Sequence, residues 1–403
     1  MRFPSGVRAL NHRDYRLFWS GQAVSVVGTW MQTVGQSWLV LELTDSPFKL
    51  GLVGALQWTP MLLFSFVGGA IVDRVPKRRL IIATQTALTI QAFTLGLLVW
   101  AHVVQYWHVA VLAFLLGLVN TADIPARQSF IVEMVGPEDL INGIALNSAE
   151  FNAARVVGPA VAGLLISRFG IAQAFFLNGA SFLAVIAALL AVRAEGLPRP
   201  QAGGSMAQQI GEGIRYATRS PRVSLILSLV LAISIFVVNY NVMVPLLARD
   251  VLHEGAHGFG LLMASIGAGA LTGAIALALL GQGRPPLSVV VLPALLLSAV
   301  TLGLAAVRQF GLAAALLVLL GIFHTLFLAS CNTTLQLGVP GELRGRIMGL
   351  YAFVFSGVTP IGSLLMGSVA ETFGVPAAYA AGGGLGMLSV VALVAAWRYR
   401  RRR

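Results

Sequence analysis

Apolar runs of 18 to 25 residues recur along this chain, and its charges fall in the short gaps between them. A helix needs about 20 such residues to cross roughly 30 Å of hydrocarbon. The runs are apolar all round rather than alternating with period two, so they read as helices and not as strands of a membrane barrel. The pattern places spans near 15–41, 47–72, 79–101, 106–126, 139–168, 170–192, 222–248, 257–281, 286–307, 310–336, 343–370 and 375–397. Pro, Gly or charge marks most joints: Asp45-Ser46-Pro47, Val75-Pro76-Lys77, Gly136-Pro137-Glu138, Arg284-Pro285-Pro286 and Val339-Pro340-Gly341. The longest polar stretch, 193–221, holds Pro198, Pro200, Gly203 and Gly204 and reads as a linker with a short surface helix. The expected organisation is a six-helix bundle (1–192), a cytoplasmic linker (193–221), and a second six-helix bundle ending in a basic tail (222–403).

The two halves resemble each other. At an offset of 204 without gaps, Gly117 matches Gly321, Thr121 matches Thr325, Glu138 matches Glu342, Gly158 matches Gly362 and Gly163 matches Gly367. Phe169-Gly170 likewise matches Phe373-Gly374. An even number of spans per half keeps both halves in one orientation, so the repeat is expected to be parallel, about an axis along the membrane normal.

Charge then sets direction. With the N-terminus in the cytoplasm, 22 of the 27 Lys and Arg fall in cytoplasmic segments, only Lys49, Arg168, Arg249 and Arg308 fall in outer loops, and Arg155 lies within a span. That asymmetry follows the positive-inside rule and places both termini in the cytoplasm of a bacterial cell, with the chain in the inner membrane. It also explains the net charge of +12 without a nucleic-acid partner, because the Arg residues are scattered over loops rather than gathered on one face. Hydrophobic residues make up 57% of the chain and charged residues 10%, too few charges for a soluble domain. The one cysteine, Cys331, lies in an apolar run, which excludes a disulfide framework or a Cys-based zinc site. No cleavable signal is evident, and no Walker loop, Ser–His–Asp set or HExxH motif points to an enzyme or an ATP-driven pump. No cofactor or metal is expected.

Four groups of residues carry candidate chemistry. The first is the loop from Gly69 through Asp73, Arg74, Lys77 and Arg78. Its cations fit a stop signal, but an acid placed before them fits a latch: Asp73 facing the start of span eleven, where the helix dipole and Arg344 or Arg346 favour an anion. The second is Asp123 with Arg127 at the inner end of span four, either an ordinary helix end stopped by Pro125 or a pair that shapes a gate or relays protons. The third is span five, where Glu150 and Arg155 lie near mid-membrane, a costly place for charge. Five residues apart on a helix, they do not face one another. Glu150 is the leading proton-site candidate, since burial disfavours the charged form of a carboxyl. Arg155 fits either a cavity or backbone carbonyls. Gly158, Pro159 and Gly163 read as a kinkable, close-packed segment. The fourth group is Gln32, Gln36, Asn152, Asn239, Tyr240, His324 and Asn332, each able to line a cavity or to bond across helices.

These residues resemble the major facilitator superfamily over essentially the whole chain. Gly69-x-x-x-Asp73-Arg74-x-x-Lys77-Arg78 is similar to that family's signature between spans two and three, with Pro76 where Gly is usual. More narrowly, Tyr15-Arg16-Leu17-Phe18-Trp19-x-Gly21-Gln22, Asp123-x-Pro125-Ala126-Arg127-Gln128 and Asn147-Ser148-x-x-Phe151-Asn152-x-x-Arg155-x-x-Gly158-Pro159 look like the drug:proton antiporter branch that includes macrolide effluxers and enterobactin exporters. Glu150 is not part of that pattern. The resemblance implies a monomer that exports a small hydrophobic or amphipathic molecule by proton antiport and alternating access. A lysophospholipid transporter of the same fold and a non-transporting membrane sensor or accessory subunit are the alternatives.

Overall fold

The computed structural model describes residues 4–198, 206–280 and 286–402. Pro200, Gly203 and Gly204 of the expected linker, Arg284 and Pro285 of an expected joint, and the terminal Arg2 and Arg403 lie outside the described residues.

The described chain is helical, with no strand. A short tight helix (Ser5–Asn11) precedes α1 (Arg13–Thr44), α2 (Pro47–Arg74), α3 (Lys77–Trp100), α4 (Tyr106–Phe169) and α5 (Ala172–Ala191). Then come α6 (Met206–Arg219), α7 (Pro221–Phe236), α8 (Tyr240–Leu246), a π-helical turn (Leu247–Val251), α9 (Ala256–Leu280), α10 (Ser288–Leu304), α11 (Phe310–Gly338), α12 (Gly341–Gly357), α13 (Thr359–Phe373) and α14 (Val375–Arg402). Among the described residues, eight stretches are long and apolar enough by themselves to cross a membrane. One of them, α4, has 64 residues. At about 1.5 Å per residue it would be roughly 96 Å long, three times the hydrocarbon thickness. It is two spans: Gly136, at φ 71° and ψ 174°, breaks it. α1 is long enough but carries Gln22, Gln32 and Gln36, and α10 has only 17 residues. α2 is bent by 61° between Ser65 and Val67 and counts as one span. The eight, in which α7–α8 and α12–α13 are each one interrupted span, with the division of α4 and with α1, α2 and α10, give twelve spans in two similar sets, as the family resemblance implies.

Three boundaries differ from expectation. Span four was expected to end at 126, with Pro125 stopping it, yet helix continues to the break at Gly136. Proline removes one intrahelical bond without forcing an end. The freed acceptor is the Thr121 carbonyl, and an added Cβ on Gly68 would lie 2.2 Å from it. The seventh span is interrupted after Phe236, and the eleventh after Gly357.

The matched glycines do matching work. A Cβ on Gly117 would lie 1.9 Å from the Gln57 carbonyl oxygen, and one on Gly321 2.2 Å from that of Ile266. Gly170 and Gly374 close their helices at φ 88° and 85°, in a backbone region that side chains avoid, with N–H bonds to Ile166 and Ala370.

The chain divides into two compact units. One comprises Met1–Asp45, Leu56–Gln201 and Glu254–Ala264, the other Ser46–Ala55, Ala202–His253 and Ser265–Arg403. In the first, α1 packs on α4 and α5, and α3 on α4 and α5. Tyr15, Phe18, Ile81, Phe130 and Leu189 form the core at one end, with Phe18 edge-on to Phe130 at 6.0 Å. In the second unit, α10 packs on α11 and α14, α7 on α14, and α6 on α12.

Candidate functional site

The first unit buries polar side chains that hold its helices to one another. Gln32 Nε2 of α1 donates to Gln91 Oε1 of α3 at 3.0 Å, Asn178 Nδ2 of α5 donates to Gln32 Oε1 at 2.6 Å, and Gln91 Nε2 reaches the Leu112 carbonyl of α4 at 3.3 Å. Gln36 Nε2 donates to Gln57 Oε1 of α2 at 3.0 Å. Each lone amide in hydrocarbon would be costly, so each finds a partner on another helix. Gln57, Gln91 and Asn178 were not among the sequence candidates. Their only signal was an amide inside an otherwise apolar run.

Two carboxylates sit in α4, one on each side of Gly136. Asp123 is 2% exposed and fully engaged. Its Oδ1 accepts from Thr84 Oγ1 at 2.5 Å and Gln85 Nε2 at 3.0 Å, and its Oδ2 from Arg127 Nε at 2.6 Å. The i,i+4 spacing on one helix brings Asp123 and Arg127 together, and α3 supplies the other donors. Glu150 is 6% exposed, and neither of its oxygens completes a hydrogen bond among the described residues. Gln22 lies beside it short of a well-formed bond, and Arg127 acts on it electrostatically. Two turns earlier, Tyr15 Oη donates to the Gly143 carbonyl at 2.8 Å and to Asn147 Oδ1 at 3.2 Å. Gln22 Oε1 and Ser25 Oγ of α1 are buried without a partner among the described residues.

Glu150 and Arg155 have separate surroundings. The Arg155 guanidinium lies 5.8 Å from the ring centre of Trp30, which meets Phe151 edge-on at 5.7 Å. Asn152 turns back on its own helix, Nδ2 donating to the Ser148 carbonyl at 2.8 Å. Gly158 and Pro159 are buried, and a Cβ on Gly158 would lie 2.5 Å from Trp30 Cβ. One on Gly163 would lie 2.8 Å from the Ala256 carbonyl oxygen.

In the second unit, Tyr240 meets the buried His324 edge-on at 5.3 Å. Asn239 adjoins them at the break before α8, its Nδ2 donating to the Ile235 carbonyl at 2.8 Å. Asn332 stands apart and accepts from Gln336 at 2.6 Å.

The loop residues of the first candidate group also differ among themselves. Asp73 and Arg74 are exposed at the end of α2. Lys77 is 4% exposed, and its Nζ pairs with Glu133 at 2.8 Å and bonds the Leu197 carbonyl at 2.9 Å. Arg78 caps the end of α5 through the Leu189 and Leu190 carbonyls. The backbone N–H groups of Lys77 and Arg78 donate to the Gly196 and Glu195 carbonyls at 2.8 and 3.2 Å and, with the Lys77 Nζ bond to Leu197, seat residues 195–197 on the start of α3. A Cβ on Gly69 would meet open space, so the close approach belongs to Gly68. Arg346 pairs with Glu212 of α6, and Arg344 is exposed on the first turns of α12. Among the described residues, no three His, Cys, Asp or Glu side chains are placed to hold a metal ion.

The arrangement has relatives. The family model described as transmembrane secretion effector matches residues 5–402. The chain is 25% identical to the multidrug efflux pump Tap of Mycolicibacterium fortuitum over 364 residues, 88% of each chain. It is 26% identical to the enterobactin exporter EntS of Escherichia coli over 390 residues, 95% of this chain and 91% of that one. With the staphyloferrin A transporter of Staphylococcus aureus it shares 22% identity over 363 residues, 89% of this chain and 90% of that one. Among solved structures, the nucleoside transporter NupG superposes with a TM-score of 0.73 at 12% identity, over 95% of this chain and 98% of that one. A bacterial homologue of the human lysosomal transporter Spinster superposes with a TM-score of 0.68 at 16% identity, covering 96% and 95%.

Proposed function

Because this chain belongs to the transmembrane secretion effector family of the major facilitator superfamily, a family of membrane transporters and not of enzymes, we propose that it exports a small hydrophobic or amphipathic molecule from the bacterial cytoplasm in exchange for protons. The export direction rests on the relatives, two of which are named for efflux or export. The cargo class follows them too: a drug, a siderophore or a similar metabolite. Alternating access by a monomer in the inner membrane, with both termini cytoplasmic, completes the reading.

One observation carries the proton reading: a buried carboxyl whose oxygens complete no hydrogen bond among the described residues, one span after a carboxyl whose oxygens are filled. A coupling group has to exchange partners during the cycle. Glu150 is free to take a proton from one side and give it up to the other, helped by Gln22 and Arg127. Asp123 holds Arg127 and α3 in place and would have to break three bonds to do the same.

The test is a pH-gradient assay. Purified protein in proteoliposomes with a trapped pH dye is challenged with hydrophobic cations, macrolides, siderophores and lysolipids, beside Glu150→Gln. Cargo-dependent proton movement is expected, and the substitution should lower it at least about tenfold, the cost of losing one proton-transfer group. Proton movement that survives Glu150→Gln would remove Glu150 from the coupling role. Cargo movement without protons would end the antiport reading.

A further inference from the structure

α1 and the second half of α4 meet along a polar seam. His12, the N-cap residue of α1, is followed by Tyr15, Trp19 and Gln22 on one helical face. Asp139, Gly143, Asn147 and Glu150 form the matching face of α4 after its break at Gly136. The two faces meet in order. His12 Nε2 lies 2.8 Å from Asp139 Oδ2, Tyr15 Oη donates to the Gly143 carbonyl and to Asn147 Oδ1, and Gln22 lies beside Glu150. At about 1.5 Å per residue, the seam runs roughly 16 Å from Asp139 to Glu150.

Polar side chains that only hold membrane helices together find partners. The amides of Gln32, Gln91 and Asn178 do so in this unit. The seam differs. Trp19 Nε1, Gln22 Oε1 and both Glu150 oxygens are buried and complete no hydrogen bond among the described residues. Unfilled donors and acceptors in a row can exchange partners, which a proton path requires, and each buried one calls for an explanation. The row also has an open end. His12 and Asp139 are both partly exposed, and Arg8 pairs with Asp139 Oδ1 at 2.5 Å. Deeper in, Tyr15 is buried, and Glu150 acts electrostatically on its hydroxyl. Arg127 is the cation that acts on Glu150.

We propose that this seam is the route by which Glu150 exchanges its proton with water at the N-terminal end of the unit, with the Tyr15 hydroxyl as the link and His12 as the terminal acceptor. The inference rests on the reading of Glu150 as the coupling carboxyl and adds its path to the cytoplasm. Water takes the proton from the Glu150 carboxyl and leaves the carboxylate. The Tyr15 oxygen accepts a proton while its own hydroxyl hydrogen moves on to the next water. The unprotonated ring nitrogen of His12 takes that proton, and the imidazolium stands against the Asp139 carboxylate until it releases the proton to solvent. Ionisable side chains at membrane depth mark such relays in transporters. Asp139, shared by Arg8 and His12, is a positioning residue for the imidazole.

The experiment is a pH jump on the purified full chain in nanodiscs, followed by time-resolved infrared absorption of protonated carboxyl groups. The Glu150 band is the one lost in Glu150→Gln, so no cargo is needed. His12→Ala and Tyr15→Phe should each slow that band about tenfold or more. Added imidazole should restore the rate in His12→Ala and leave Tyr15→Phe slow, which a merely structural role for His12 would not produce. Unfolding curves report whether each variant is folded, and if Tyr15→Phe is not, His12→Ala with its rescue decides. A Glu150 band whose rate neither folded variant changes would overturn the route and leave the coupling role of Glu150 standing. Slowing in His12→Ala that imidazole does not restore would make His12 a strut and overturn it as the acceptor. No titrating band lost in Glu150→Gln would overturn the coupling role, and the route with it.

Discussion

In the first unit, buried amides and carboxylates reach from helix to helix: Gln32 to Gln91, Asn178 to Gln32, Gln36 to Gln57, Asp123 to Thr84 and Gln85. In the second, the buried polar side chains among the described residues are Ser and Thr with Asn239 and His324, and no carboxylate. Ser298 and Thr301 there bond carbonyls of their own helix. What is irregular in the second unit is the backbone, at Val237–Asn239, at the π turn Leu247–Val251 and at Val358 between α12 and α13. The same fold therefore obtains polarity inside the membrane in two ways. One unit uses side chains that pin its helices together, although α2 is itself bent and α4 is broken at Gly136. The other interrupts its helices, and at the Val237–Asn239 break the backbone turns its bonds inward, Val237 and Val238 sharing the Ile233 carbonyl.

The largest expected effect tests whether the pinned unit depends on its charge. Asp123→Ala leaves Arg127, Thr84 and Gln85 without their acceptor, and removing one partner of a buried pair costs about 3–5 kcal/mol. Unfolding in mixed micelles measures it. Glu150→Gln should leave the same unfolding curve nearly unchanged, since it breaks no bond. If both substitutions destabilise equally, the contrast between the two carboxylates is lost.

Next is the feature the units share. Gly117→Ala and Gly321→Ala each drive a methyl into a backbone carbonyl, and overpacking at such a contact should cost about 1–3 kcal/mol. Folded yield from membranes and the unfolding midpoint should fall in both. Tolerance at one position alone would show that the repeat is one of sequence and not of packing.

That repeat was legible in advance because glycine is informative: Gly117, Gly321, Gly170 and Gly374 each mark a place where a side chain cannot go. Span positions were legible for the same kind of reason, since lipid demands length and apolarity. The partners of polar residues were not. Gln32 in a hydrophobic run says that a partner is needed but not that it is Gln91 and Asn178, because that depends on helix rotation. The break at Val237–Asn239 was hidden by a Val-rich stretch with no breaker, and the helix past Pro125 by the habit of reading proline as an end. Among the candidate site residues, Asp123 and Arg127 were expected as neighbours from their spacing. The roles of Lys77 and Arg346 could not be read, because Glu133 and Glu212 lie far from them in sequence.

The smallest effect bears on the latch proposed for Asp73. Arg346 was one of two cations expected to meet it, but its guanidinium is paired with Glu212 of α6, at a site where both side chains are about a third exposed. An exposed pair contributes about 0.2–1 kcal/mol, so a double-mutant cycle of Arg346→Gln and Glu212→Gln, read as unfolding, should return a coupling of about 0.5 kcal/mol, within the second unit alone. A coupling of zero would mean that this pair does not hold α6 to α12.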